Sequence, residues 1–128
     1  MIGIVIVAHE GLADEYKAAL EHVVGQQEQL ITVGISENHN RKSKELEICN
    51  ASDNVDTGFG VILVTDLFGG SPSNLALSAC CKEDRTIIYG ANLPMLVKLA
   101  KCRKMSIKDA TEEALNAGRK YINSYNRQ

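Results

Sequence analysis

The feature that most constrains the fold is an unbroken apolar run at residues 2–8, with the sequence IGIVIVA. The run has no alternation of polar and apolar positions, so neither face of the strand that it predicts can lie against water. Such strands are typical of the centre of a parallel sheet that carries helices on both faces. Shorter apolar runs at residues 30–35, 59–65 and 86–89 predict three further strands.

Helical patterns separate these strands. Apolar residues at helical spacing predict helices over residues 12–24, 72–81, from about 92, and from Ser106, which has Asp109 as its capping partner, to Gly118. A further helix is predicted over about 41–51, within a polar and weakly patterned stretch. Strands that alternate with helices pair in parallel through right-handed crossovers. We therefore predict a single α/β domain over residues 1–128, three layers thick, with a mainly parallel open sheet of four strands and helices on both faces. Residues 121–125 fit either a last helical turn or a short C-terminal edge strand.

Composition narrows the possible functions. The chain has 14 basic and 16 acidic residues and no basic run, so nucleic acid and anionic membrane are poor candidates as partners. No basic leader precedes the first apolar run and no segment is long enough to span a bilayer, so we expect no membrane insertion and a cytoplasmic location. The cysteines lack metal-ligand spacing and no carboxylate cluster is evident, so we expect neither a metal nor a cofactor.

Residues 64–74, VTDLFGGSPSN, predict a strand end, a tight turn and a helix start. Gly69 and Gly70 permit positive φ and close approach to the backbone. Ser71 is a natural N-cap, followed by Pro72 at the first helical position. A helix start offers unpaired N–H groups and the positive end of a dipole, which together favour an anion. Asp66 points into the same mouth, where an acid would repel an anion unless a proton donor stood between them.

His9, at the carboxyl end of the first strand, is the candidate for that donor. If strands one and three are neighbours, His9 meets the turn, and Asp66 can fix the tautomer of its ring. An imidazole braced by an acid and facing a helix start suits phosphoryl transfer. The turn lacks the GK[ST] ending of a P-loop. A structural role for His9 and a turn-forming role for Asp66 are the alternatives, and His22 and His39 are interpreted as surface residues.

Three stretches, IVIVAHEGLA, VTDLFGGSPSN and GANLPMLV, together resemble the mannose-type IIA component of the bacterial phosphoenolpyruvate-dependent sugar phosphotransferase system. The resemblance implies a mainly parallel sheet, commonly in a homodimer. It implies that His9 accepts a phosphoryl group from the phosphocarrier protein HPr and passes it to a IIB partner or serves a regulated protein. Asp66 would hold the ring, while Gly69, Gly70 and Ser71 receive the phosphate. The partner-docking rim would comprise Phe68, Asn92, Pro94 and Met95, for which turn packing and helix capping are the alternative.

Two departures from the family's pattern stand out. Residue 10 is Glu10, where the family usually has glycine, and the chain reaches Gln128 without a IIB domain, so we expect any onward acceptor to be a separate protein. Other hypotheses stay open from the sequence. They are a regulatory phospho-switch without onward transfer, a phosphoryl donor for dihydroxyacetone kinase, whose turn differs, and a flavodoxin-like ligand binder in which His9 is incidental.

Overall fold

A computed structural model describes residues 1–67, 69–79 and 82–127. The predicted rim residue Phe68 and the neighbouring cysteines Cys80 and Cys81 lie outside the described residues. The strands are β1 (Gly3–His9), β2 (Leu30–Ile35), β3 (Val61–Thr65) and β4 (Arg85–Ile88). The helices are α1 (Leu12–Val24), α2 (Arg41–Val55), α3 (Ser71–Ala79), α4 (Leu93–Lys101) and α5 (Ile107–Lys120). None of the helices in the described residues is long and apolar enough to cross a membrane.

The four strands form one parallel sheet in the order β2-β1-β3-β4. This confirms the predicted fold class and the pairing of the first strand with the third. The register sets His9 opposite Ile35 of β2, and Val7 opposite Thr65 of β3. The end of β1 is therefore flanked on one side by the segment after β2 and on the other by the segment after β3.

Two apolar cores lie on opposite faces of the sheet, because successive side chains of each strand alternate between the faces. Ile4 and Ile6 of β1 pack on one side with residues of α1, α4 and α5. Val5 and Val7 pack on the other side with residues of α2 and α3. All four β1 side chains are inaccessible to solvent. Both faces of the central strand are thus covered, as its unbroken apolar run predicts.

The start of β3 and the end of α2 differ from their predicted positions. β3 begins at Val61 rather than at residue 59, and the side chain of Phe59 is 65% exposed. Gly60 has φ of +85°, and a side chain there would collide with Ile107, so the chain turns at this point before it enters the sheet. α2 continues to Val55 because Ser52 is buried with its hydroxyl donating to the carbonyl of Ile48.

The C-terminal part of the chain also differs from expectation. α5 passes through Gly118 and ends at Lys120. A Cβ at Gly118 would lie 3.1 Å from Cβ of Met95, so this glycine permits close contact between α5 and α4 and is not a helix end. Residues 121–127 form neither the helical turn nor the edge strand, and Tyr125 is largely exposed.

Two buried arginines lie at the opposite, amino end of the strands. Arg85 begins β4, and its guanidinium donates to Asp53, Asp56 and Asp84 at 2.7–3.0 Å. Arg103 follows α4 and donates to the carbonyls of Ile2 and Gln29 and to the side chain of Gln27. Buried guanidinium groups require such acceptors, so these contacts fasten the strand starts to the surrounding segments.

Candidate functional site

The site is centred on His9 and Asp66, which neighbouring strands bring together at the carboxyl edge of the sheet. His9 is the last residue of β1, and Asp66 directly follows β3. Nδ1 of His9 lies 2.7 Å from Oδ2 of Asp66, and the His9 amide donates to the same oxygen at 2.9 Å. The side chain of Asp66 is only 6% exposed, whereas that of His9 is 44% exposed. The acid is thus enclosed while the imidazole remains accessible.

The carboxyl group of Asp66 is held in its ionised form. Burial opposes ionisation, but the amide and ring of His9 and the amide of Leu67 outweigh burial, and together they lower the pKa of Asp66. An ionised carboxylate only accepts hydrogen bonds, so the proton between the two side chains resides on Nδ1 of His9. Nε2 of the neutral ring therefore carries a lone pair and can act as a nucleophile.

Tyr16 of α1 lies close to this pair. Its hydroxyl donates to the carbonyl of Ala91 at 3.1 Å, and the Ala91 amide donates to the carbonyl of Thr65 at 3.1 Å. Burial, and secondly the negative charge of Asp66, raise the pKa of the Tyr16 hydroxyl, which therefore stays protonated at neutral pH. Because Ala91 bonds to Thr65, the segment that precedes α4 is held beside the end of β3.

The glycine turn lies directly against the imidazole. Gly69 has φ of +88°, a conformation that few other residues adopt. A Cβ at Gly70 would lie 3.1 Å from Cε1 of His9 and 3.0 Å from Cδ1 of Leu67. Gly70 therefore lets the chain pass close to the ring that it faces.

α3 begins at Ser71, one residue earlier than predicted. The carbonyl of Gly70 accepts from the amide of Asn74 at 3.0 Å, so Gly70 occupies the cap position and Ser71 the first helical position. Amides of a first helical turn have no acceptor within the helix, and a glycine has no side chain with which to cap them. The unpaired N–H groups and the positive dipole end of α3 therefore lie at the same edge of the sheet as His9.

An open depression of about 380 Å³ adjoins His9. Its lining combines the predicted residues with a segment that follows β2: His9, Glu10, Ile35, Ser36, Glu37, His39 and Ser71. The sequence interpretation placed His39 on the surface without a partner, whereas the structure places it on the wall of this depression. The signal was available in the strand order, because a segment that follows β2 must lie beside the end of β1.

Glu10 takes an unusual backbone conformation beside His9. Its φ is +51°, and its amide donates to the carbonyl of Ile35 at 2.9 Å. A side chain other than glycine is disfavoured by about 1–2 kcal/mol in this left-handed region. Glycine would adopt this conformation without that cost.

The described residues of the predicted docking rim have structural contacts. Oδ1 of Asn92 caps α4 by accepting from the amide of Met95 at 3.0 Å, and its Nδ2 donates to the carbonyl of Gly118 at 2.8 Å. Met95 is only 2% exposed, so its side chain packs in the core, whereas Asn92 and Pro94 are partly exposed. These placements match turn packing and capping, and docking at the rim stays a prediction.

The described side chains favour nucleophilic chemistry by an imidazole beside an anion-binding helix start. Among the described residues, no group of three or more His, Cys, Asp or Glu residues is placed to hold a metal ion. An accessible Nε2, an ionised partner on Nδ1 and a nearby helix start are the components from which histidine-based phosphoryl transfer can be built.

Comparison with known proteins places the chain in a family. The model of the family described as the PTS (phosphotransferase system) fructose IIA component matches residues 3–116, so the chain belongs to this family. The chain is 29% identical to YadI of Escherichia coli K12 over 126 residues, which cover 97% of this chain and 86% of YadI. Membership gives the chain a phosphotransfer role in the phosphotransferase system.

Two further similarities concern a longer protein and a solved structure. The mannose-specific EIIAB component of E. coli K12 is 31% identical over 125 residues, covering 94% of this chain but 38% of that protein. The crystal structure of the phosphotransferase system component EIIA from Streptococcus agalactiae superposes with a TM-score of 0.87 at 23% identity and covers 97% of both chains. This structural similarity confirms the fold.

Proposed function

We propose that this protein is a phosphohistidine relay of the phosphotransferase system, with Nε2 of His9 as the atom that accepts the phosphoryl group. The donor is HPr, and the acceptor is a separate IIB component that serves sugar uptake or regulation. The observation that carries the proposal is the contact of 2.7 Å between Nδ1 of His9 and Oδ2 of Asp66. This contact supports a proton on Nδ1, and with it the proposal that Nε2 is the nucleophile.

The transfer step balances without a further reactant. The Nε2 lone pair of His9 forms a bond to phosphorus while the P–N bond of the donor's phosphohistidine breaks, and that bond's electron pair stays on the donor imidazole. The proton on Nδ1 of His9 remains in place, so the phosphorylated ring is a cation. The adjacent Asp66 carboxylate stabilises this cation as it develops. The reverse sequence of bond changes hands the group on to the IIB component.

The phosphoryl oxygens would be received by the turn that faces the imidazole. Gly69, Gly70 and Ser71 lead into the start of α3, and Ser71 lines the depression beside His9. Placement and charge stabilisation are the main requirements of phosphoryl transfer, and a helix start supplies both.

The partner surface would surround this edge. Phe68, Asn92 and Pro94 are the residues that we propose for contact with HPr and the IIB component, while Met95 would support them from the core. The hydrogen bond between Ala91 and Thr65 keeps the segment before α4 beside the site. We further propose that residues 1–128 form one IIA domain that acts in the cytoplasm as a homodimer.

Intact-mass measurement tests the proposal. The protein is incubated with phosphoenolpyruvate, enzyme I and HPr, and we expect a gain of one acid-labile phosphoryl group. His9→Ala should abolish the gain. His22→Ala is the matched control, because His22 is an exposed histidine on α1 and should leave the gain unchanged. Absence of any gain with HPr from several sources would refute the relay.

A second arm separates a relay from a regulatory switch. Phosphorylated protein, freed of HPr, is mixed with purified IIB components, and the mass of both proteins is followed in time. A relay loses its phosphoryl group to a IIB component. A protein that is phosphorylated on His9 but never transfers the group to any IIB component is a terminal switch, and the onward step of the proposal is then wrong.

A further inference from the structure

We infer that His39 is a second phosphate-binding side chain of this site and that its protonation makes phosphoryl binding depend on pH. The inference deepens the proposed function and rests on it for the identity of the phosphoryl group. It assigns a role to a residue that the sequence interpretation placed on the surface. The physical basis is the position of His39 on the wall of the depression that also contains His9 and Ser71.

Strand order places His39 there. β2 pairs with β1 along its length, with His9 opposite Ile35 at the end of the ladder. The amide of Glu10 then donates to the carbonyl of Ile35 at 2.9 Å, which extends the pairing one residue beyond His9. Residues 36–40 leave β2 from this point, and His39 shares the lining of the depression with His9 and Glu10.

The orientation of the His39 ring is fixed by one contact. Nδ1 lies 2.8 Å from the carbonyl oxygen of Ser36, and the His39 amide donates to the same oxygen at 3.3 Å. A carbonyl only accepts, so Nδ1 carries a proton whether the ring is neutral or cationic. Protonation therefore occurs at Nε2, which changes from an acceptor into a donor without disturbing the contact with Ser36.

The charged residues that line the depression determine how protonation of His39 affects phosphoryl binding. The titratable residues that line it with His39 are His9, Glu10 and Glu37, and the wall from α3 contributes the uncharged Ser71. Arg41, at the start of α2, donates to Glu45 on its own helix at 2.9 Å. Two carboxylates thus oppose an incoming phosphoryl group, and a cationic His39 would offset them with a charge-assisted hydrogen bond.

Linkage fixes the sign of the pH dependence. A phosphoryl group on His9 should favour the cationic form of His39 by charge attraction. In return, protonation of His39 at lower pH should favour phosphorylation. At pH 8 this contribution should be absent.

The test compares His39→Asn with wild type and with His22→Asn. An asparagine amide can donate to the Ser36 carbonyl much as Nδ1 does, but it cannot become a cation. The initial rate of phosphorylation by phospho-HPr is measured at pH 6 and pH 8. We expect His39→Asn to be slower than wild type by about 3- to 10-fold at pH 6 and similar at pH 8, as loss of one exposed charge-assisted contact predicts. His22→Asn should match wild type at both values.

The NMR resonances of the His39 ring provide a second test, because a purely structural role of His39 would leave them unaffected by phosphorylation. NMR spectra of the His39 ring in wild type should show that phosphorylation keeps the ring cationic to a higher pH, while the His22 ring resonances do not change. The same titration with inorganic phosphate and unphosphorylated protein tests the site without HPr. Thermal unfolding of His39→Asn checks that the segment still folds, and His39→Gln repeats the rate comparison if it does not.

The outcomes separate this inference from the proposed function. If wild type is phosphorylated on His9 while the His39→Asn profile and the His39 titration are unchanged, the inference is wrong and the relay stands. If HPr transfers nothing but inorganic phosphate shifts the titration of His39, the phosphate site is supported and the relay is wrong. If neither HPr nor phosphate affects His39, both are wrong.

Discussion

At the scale of single residues, one carboxylate oxygen positions both the ring and the backbone of His9. Oδ2 of Asp66 receives Nδ1 at 2.7 Å and the amide of the same residue at 2.9 Å. The other oxygen, Oδ1, accepts from the amide of Leu67 at 3.0 Å. The acid is therefore fixed by its own turn before it orients the imidazole, and the imidazole has little freedom to rotate away.

Replacement of Asp66 by asparagine should slow phosphorylation with the fold intact. The change removes a charge-assisted hydrogen bond worth about 1.5–3 kcal/mol, which corresponds to about a 10- to 100-fold loss of rate. Initial rates by intact mass check this for Asp66→Asn, with Asp109→Asn on the exposed start of α5 as the matched control. Equal rates for the two variants would show that Asp66 does not fix the reactive tautomer.

Glu10→Gly should stabilise the protein and leave phosphorylation equal or faster. Glycine relieves the left-handed backbone at φ of +51°, and after its greater unfolded-state freedom is subtracted the gain should be about 1 kcal/mol or less. Gln29 has nearly the same φ, +53°, at the other end of the sheet, so Gln29→Gly controls for the backbone effect alone. Urea unfolding and initial rates are the measurements.

The two glycine variants separate strain from charge. Gln29→Gly should stabilise the protein without changing the rate of phosphorylation, whereas Glu10→Gly also removes a carboxylate from the depression. A large loss of rate in Glu10→Gly would instead show that the Glu10 side chain takes part in the transfer.

At the scale of elements, the turn between β3 and α3 sets the distance between imidazole and helix start. Gly70→Ala should slow phosphorylation by about 10- to 100-fold, because a displacement of the ring by a fraction of an ångström disturbs the geometry of transfer. The added Cβ would lie 3.1 Å from Cε1 of His9, so ring and turn must separate. At Gly11, a Cβ meets nothing within 4 Å, which makes Gly11→Ala the matched control. An unchanged rate in Gly70→Ala would mean that the turn is not part of the site.

The elements also show which features can be predicted from sequence. The apolar runs of β1 and β3 are buried on both faces, so their hydrophobicity predicts a central parallel sheet. That His9 lies near Asp66 also requires β1 and β3 to be neighbours, which the strand order shows and hydrophobicity alone does not. The predicted end of α2 was wrong because the helix continues through Ser52, which is buried with its hydroxyl donating to a carbonyl of the same helix. A serine in the sequence does not indicate that it is buried in this way. His39 was missed because residues 36–40 carry no periodic pattern, and their position follows from the pairing of β2 with β1.

At the scale of the whole molecule, the sheet separates two kinds of chemistry. Its carboxyl edge holds the exposed imidazole and the helix start, while its amino edge holds the enclosed guanidinium groups of Arg85 and Arg103. The side chain of Arg85 is 2% exposed and faces three carboxylates. We therefore expect stability and phosphoryl transfer to depend on different ends of the same strands.

Asp56→Asn should lower the free energy of unfolding in a pH-dependent way without slowing phosphorylation. Donation by Arg85, and secondly by the Gly58 amide, lowers the pKa of Asp56 in the folded protein, so this carboxylate stabilises the fold above its unfolded pKa and ceases to do so as the pH falls through the folded value. We expect the variant to lose about 1–2 kcal/mol of unfolding free energy at pH 7. The gap to wild type should narrow below about pH 4.

Urea titrations at pH 7 and pH 3 measure that gap, and phosphorylation rates at pH 7 measure its effect on the site. Asp109→Asn is again the control for loss of an exposed carboxylate. A gap that is the same at both pH values would contradict the role of the Arg85 contact, and a slowed transfer would contradict the separation of the two ends.

The shared acceptor of His9 has a practical consequence for spectroscopy. Because the main-chain N–H and the ring both donate to one oxygen of Asp66, a change in the ring's charge must redistribute the electron density that the N–H encounters. The backbone ¹⁵N–¹H cross-peak of residue 9 should therefore report occupancy of the imidazole in a uniformly labelled sample. Turnover could then be followed in real time from this one backbone signal.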